Sequence, residues 1–261
     1  MTDPNALPLI DSRLDGGVLT LIMQRPAKKN ALTRDMYAAL SDLLAAADAD
    51  PAVRVLLIRG AGDAFTAGND LKDFLEQPPA DESSPVVRFL RALCTVRKPL
   101  IAAVQGAAVG IGTTLLLHCD LVYAGESARF QLPFVNLGLC PEAASTFLLP
   151  LAAGHRRAVE LLLFGEPFGA LEAQRAGLIN RILPDAELRP AAEAAARQLA
   201  AKPLAALLVT KELLQRPFRD PVRQAMDAEL AAFYPRLRSP EAAEAMEAFF
   251  AKRKPDFSRF Q

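Results

Sequence analysis

Residues 99–119 read PLIAAVQGAAVGIGTTLLLHC, twenty-one positions without a single Asp, Glu, Lys or Arg. A helix of that length would reach across a bilayer. Gln105, Gly106, Gly110, Gly112, Thr113, Thr114 and His118 interrupt it, and its start, LIAAV, is strand-like and meets a glycine-punctuated turn. A buried strand over Leu100–Val104 feeding a buried helix accounts for the pattern better than a span.

The flanking sequence repeats this alternation. GVLTLIM (17–23) is a strand closing on Pro26, and Thr33 caps a helix whose Met36, Leu40, Leu43, Leu44 and Ala47 share one face. VRVLLIR (53–59) is a second strand, a helix is expected over Pro85–Thr95, and further strands over Asp120–Ala124 and GLINRIL (177–183). Strand, crossover helix and strand in repetition imply an α/β fold with a largely parallel sheet and right-handed connections. The run EQPPADESSP (76–85) reads as a mobile polar loop, too short for a domain linker. Beyond residue 183 the chain is alanine-rich and helical through Phe250, with helix stops expected at Pro203, Pro217, Pro221, Pro235 and Pro240.

Composition narrows the function classes. The 261 residues are 51% apolar, and thirty basic side chains cancel thirty acidic ones, so no long-range field of one sign draws in nucleic acid or an anionic membrane. Cys94, Cys119 and Cys140 are scattered and odd in number, which is read as three reduced thiols in a cytoplasmic protein. The opening residues show no address label. With only His118 and His155, neither near a patterned partner in sequence, no metal site is expected.

Two stretches carry chemistry. In Ala64-Phe65-Thr66-Ala67-Gly68-Asn69-Asp70-Leu71, small residues let backbone approach a ligand just before a helix start. The plainer alternative is a tight turn with Asp70 as helix cap. In Gln105–Thr114 the glycines miss the dinucleotide fingerprint, because Leu115 stands where GxGxxG needs its third glycine, and no lysine makes a phosphate loop. A free N–H at Ile111 survives. Two such donors converging on one oxygen form an oxyanion hole, worth roughly 3 kcal/mol per donor.

Arg25-Pro26 with KKNAL (28–32), FTAGNDLKDF, VQGAAVGIGTTLLLHCDLVYA and ARFQLPFVNLGLCPEA together resemble the enoyl-CoA hydratase/isomerase, or crotonase, superfamily, in order from about Leu19 to the KRKPDF tail. AGND, GIGTTLL and LGLCPE are most similar to the Δ3,Δ2-enoyl-CoA isomerases of the peroxisomal type and their bacterial relatives. The resemblance implies a crotonase-like spiral of ββα repeats over residues 1–200 and a helical trimerisation region over 201–261, assembled as a trimer or dimer of trimers. It implies an acyl-CoA thioester substrate without a separate cofactor, and backbone N–H donation from Asn69 and Ile111. CoA contacts are implied at Lys28, Ala31 and Ala67, and at Lys252 and Arg253 to the CoA of a neighbouring subunit. Phe74, Leu75, Phe134 and Phe147 are candidate walls of the acyl pocket.

The reaction depends on the acid or base facing the substrate carbons. The resemblance puts the two hydratase glutamates where this chain has Thr114 and Phe134. It puts the isomerase glutamate at Glu142, making that residue the expected proton shuttle. Read from the residues alone, Glu142 is equally a first-turn glutamate behind Pro141 at a helix start. Burial would raise its pKa and a helix N-terminus would lower it. Hydration, dehalogenation, decarboxylation, thioester hydrolysis and binding without turnover remain the alternatives.

Overall fold

The computed structural model describes residues 8–79 and 81–260; the opening MTDPNAL, Ala80 and Gln261 lie outside the described residues. In chain order the elements are β1 (Ile10–Asp15), β2 (Val18–Met23), α1 (Arg34–Ala49), β3 (Val55–Gly60), α2 (Leu71–Glu76), α3 (Pro85–Thr95), β4 (Leu100–Val104), β5 (Ala107–Val109), α4 (Ile111–Thr114), β6 (Leu121–Gly125) and β7 (Arg129–Gln131). They continue with α5 (Ser145–Ala153), α6 (His155–Phe164), β8 (Phe168–Gly169), α7 (Ala170–Arg175), β9 (Arg181–Leu183), α8 (Asp185–Ala200), α9 (Leu204–Gln215), α10 (Arg219–Leu237) and α11 (Pro240–Phe250).

A six-stranded sheet runs β1-β2-β3-β4-β6-β9, antiparallel at β1 and parallel at every other pairing. A second sheet runs β5-β7-β8. The chain passes from the large sheet to the small one and then into a helix, as in β4-β5-α4, which is the expected ββα spiral. No helix among the described residues is long and apolar enough to cross a membrane.

Alternation along the large sheet feeds two cores. Leu56, Ile58, Leu100 and Ala102 join the larger cluster with Met36, Tyr37 and Leu40 of α1, while Val55, Leu57, Ile101 and Ala103 meet Leu188, Ala192, Ala196 and Ala200 of α8. The small face of α8 lets it lie close to the strands.

The helix stops are corrected at two prolines. Pro221 and Pro235 lie inside α10. Pro221 sits in the first turn, where N–H groups are unpaired anyway, and Pro235 forgoes a single ladder bond two residues before the helix ends. The glycine turn also contains a strand, β5, that the apolar run concealed, and α4 is only four residues long before a 3-10 turn over Leu115–His118.

Candidate active site

Two isolated parallel bridges build the centre of the site. Thr66 pairs with Ala108, its N–H donating to the Ala107 carbonyl and its carbonyl accepting from Val109 N–H. Leu32 pairs with Asn69, bonding the Gly68 carbonyl at 2.8 Å and the Asp70 N–H at 2.8 Å. In an extended segment successive N–H groups alternate sides, so the Asn69 N–H faces away from Leu32.

From the Thr66–Ala108 register, Asn69 and Ile111 each lie three residues further along adjacent segments. Neither N–H finds an acceptor among the described residues. Gly68 (φ +86°) and Gly110 (φ +56°) make the turns that expose them, and a Cβ on Gly68 would lie 2.7 Å from the Val109 carbonyl oxygen. Only glycine meets both requirements there.

Side chains secure this backbone. Arg25 Nη1 donates to Asp70 Oδ2 at 2.7 Å and to the Ala31 carbonyl at 2.9 Å. Asp70 also caps α2 by accepting from Lys72 and Asp73 N–H. Thr66 Oγ1 accepts from Gly68 N–H and donates to the Asn30 carbonyl. The buried Tyr37 hydroxyl donates to Asn69 Oδ1.

Asn69 and Ile111 open onto a cavity of about 860 Å³ whose walls include Arg25, Lys28, Ala31, Ala67, Phe74, Phe134, Leu139, Phe233, Phe249 and Phe250. That volume is in the range of small-molecule sites. The walls are mostly apolar, with two cations on the loop after β2.

Glu142 is 9% exposed, and Thr114 Oγ1 donates to its Oε1 at 2.6 Å. α4 therefore presents the Ile111 N–H at its start and grips the carboxylate one turn later. α5 begins only at Ser145, so Glu142 precedes the helix in a turn instead of occupying its first turn. The opposition between burial and a helix terminus is thereby resolved. Burial pushes Glu142 up to about 8, against the Thr114 hydrogen bond, with the negative charge of Glu229 adding to the rise.

A model of the enoyl-CoA hydratase/isomerase family matches residues 13–259. The chain belongs to that family. It is 38% identical over 261 residues to 1,2-epoxyphenylacetyl-CoA isomerase of Escherichia coli (strain K12), covering 97% of this chain and 99% of that protein. It is 34% identical over 247 residues to enoyl-CoA delta isomerase 2 of Rattus norvegicus, covering 92% of this chain and 63% of that protein. The crystal structure of an enoyl-CoA hydratase/isomerase from Pseudoalteromonas atlantica T6c matches with a TM-score of 0.91 at 41% identity, over 96% of this chain and 100% of that one. Relatives carry both isomerase and hydratase names. Membership thus establishes a crotonase-fold, acyl-CoA enzyme family and leaves the individual reaction to the site.

Among the sequence candidates, Asn69, Ile111, Lys28, Ala31, Ala67, Phe74 and Phe134 line one cavity. Leu75 does not: it is exposed, whereas its neighbour Phe74 on α2 is buried. Phe147 is half-buried in α5 and also off the wall. Lys252 and Arg253 lie outside this cavity as well. Arg253 is paired with Glu244 and Glu247, which ties the C-terminal tail to α11, and it is Phe249 and Phe250 that reach the wall. Glu142 itself is not among the lining residues, although Leu139, three positions before it, is.

Sequence reasoning missed Arg25 and Phe233 as walls, Tyr37 as the Asn69 partner, and Glu229. Arg25 was visible in the RP pair of the resemblance; Tyr37 and Glu229 reach the site from distant helices without a local signal. His118 is the core histidine it was read to be. Burial lowers it to about 4, and its Nε2–H donates to the Ala143 carbonyl at 2.7 Å.

The raised carboxyl makes a stability prediction. The folded protein keeps the Glu142 proton to about pH 8, whereas the unfolded chain releases it near the ordinary value of 4.5. Between those values the folded state holds more protons, so this contribution is full below about 4.5 and is lost as pH rises through 8. Glu142→Gln mimics the protonated acid. Thermal unfolding at about pH 9 should show the variant a few degrees more stable than the parent, with the difference shrinking as pH falls and vanishing below about pH 4.

Proposed function

We propose that the protein is a Δ3,Δ2-enoyl-CoA isomerase. The thioester oxygen accepts hydrogen bonds from the Asn69 and Ile111 N–H groups. Glu142, as carboxylate, takes a proton from C2 of a 3-enoyl thioester, and the negative charge spreads through a dienolate onto that oxygen. The same carboxyl then returns the proton to C4, giving the 2-trans-enoyl thioester and the starting carboxylate. One acid–base group is sufficient because the proton leaves and re-enters the same substrate.

The observation that carries this reading is the buried Glu142 carboxyl, bonded through Thr114 to the helix that begins at Ile111 and raised to about 8. A base of that strength is better matched to an α-proton than an ordinary glutamate. Hydration needs a second group to hold and activate water. Thr114, already donating to Glu142, and Phe134 offer no carboxylate at the two positions where the resemblance places hydratase glutamates. The expected substrate contacts are Lys28 beside the CoA and Phe74 and Phe134 beside the acyl chain.

A second reading, an acyl-CoA-binding homologue without turnover, is favoured by the position of Glu142 off the cavity wall. A 3-enoyl-CoA assay separates the two. Isomerisation with kcat/KM rising to a plateau through about pH 8 supports catalysis, and binding without product overturns it. Glu142→Ala should lower kcat by about 10²-fold or more while KM stays near the parent's. Gly68→Ala, which shifts backbone next to Asn69, should lower kcat by about 10²–10³-fold, the loss typical of one oxyanion donor. Replacing the Asn69 side chain should cost less.

Residues 201–261 are assigned as the trimerisation region, supported by exposed Val209, Leu213 and Leu214 on α9. Light scattering should return three or six chains; a monomer would overturn the assignment.

A further inference from the structure

Glu142 is followed by Ala143 and Ala144, both in the left-handed region at φ 62° and 54°. Two consecutive alanines rarely adopt it, and such a turn persists only where its surroundings over-determine it. Here two buried side chains from other elements do so. His118 Nε2–H donates to the Ala143 carbonyl at 2.7 Å. Glu229 of α10 accepts from the Ala144 N–H at 2.6 Å, the Thr146 N–H at 2.8 Å and the Thr146 hydroxyl at 2.6 Å.

Ala144 at the N-cap of α5 has no side chain with which to cap the helix. Glu229, 85 residues along the chain from Ala144, takes that role. It is 5% exposed and forms no ion pair among the described residues, and burial raises its carboxyl against the pull of those three bonds. A buried acid whose carboxylate hydrogen bonds all go to one turn has no need to be there for packing alone.

We propose that Glu229 is a positioning residue which, together with His118, locks the Ala143–Ala144 turn and so sets where the Glu142 carboxylate points. The proposal rests on the isomerase reading of Glu142. The titratable groups that interact with Glu229 are Cys94 of α3 and Cys140 and Glu142 of the segment before α5; Tyr37 of α1 also interacts with Glu142. None of them is a cation. Neutralising Glu229 therefore removes a negative charge that raises Glu142 and moves the acid limb of the rate profile to lower pH.

The test measures kcat and KM on a 3-enoyl-CoA from about pH 6 to about pH 10 for the parent, Glu229→Gln, and Glu229→Gln with Ala144→Gly. The first variant keeps the side-chain volume but turns an amide toward donors. Its kcat should fall by about 10- to 100-fold with KM held within about twofold, the signature of a misplaced base. Its acid limb should move down in pH. Glycine adopts the left-handed turn freely, so the double variant should recover part of kcat.

Parent-like kcat in folded Glu229→Gln overturns the proposal, as does a loss with an unmoved acid limb and no recovery by glycine. If that variant fails to fold, Thr146→Val removes one of the three bonds and should lower kcat severalfold; unchanged kcat there also overturns it. An inactive parent refutes the isomerase reading instead, and a crystal structure of Glu229→Gln then decides the present one. Departure of Ala143 and Ala144 from the left-handed region supports the lock, and an unchanged turn with the Thr114–Glu142 bond intact refutes it.

Discussion

The parallel bridge between Thr66 and Ala108 is the contact on which the site depends. It brings two loops from separate ββα turns into register, so that an unpaired N–H three residues along each opens onto the same cavity. An unpaired amide is costly when buried, and two adjacent ones would ordinarily be closed by a longer ladder. Glycine at 68 and 110 ends the ladder instead, leaving the donors rigid and available. Preorganisation of this kind stabilises charge without reorganisation at the moment it develops.

Two buried carboxyls behind the Ile111 helix have different surroundings. Glu142 has a single hydroxyl partner and is raised to about 8. Glu229 has three donors, all from the turn after Glu142. Both are raised by burial, and their hydrogen bonds separate the roles: three donors tie the Glu229 carboxylate to one turn as a brace, whereas Glu142 with its single donor keeps an oxygen free to take a proton.

Much of this was legible in the chain itself. Leu100–Val104 and Pro85–Thr95 match their predicted bounds, and the Thr33 cap and Asp70 cap are where local chemistry puts them. The glycine stretches were recognisable because a positive φ restricts residue choice so strongly. The acyl walls were less legible. Phe74 and Leu75 are neighbours of similar hydropathy, yet α2 turns one inward and the other to the surface. Phe147 carries the same apolar signal whether it faces a cavity or a neighbouring helix, and the basic tail signal of Lys252 and Arg253 was equally compatible with the ion pairs that Arg253 makes to α11.

The sequence by itself determined the α/β alternation, the two glycine-bounded loops, the absence of carboxylates at Thr114 and Phe134, and the presence of a glutamate at 142. Each of these is local: a period, a backbone restriction or a residue identity. Only the tertiary structure decided that Glu142 stands ahead of its helix, that Thr114 donates to it and that Glu229 and His118 clamp the turn behind it. Those facts depend on desolvation and on contacts between residues tens of positions apart, and neither quantity exists until the elements have packed.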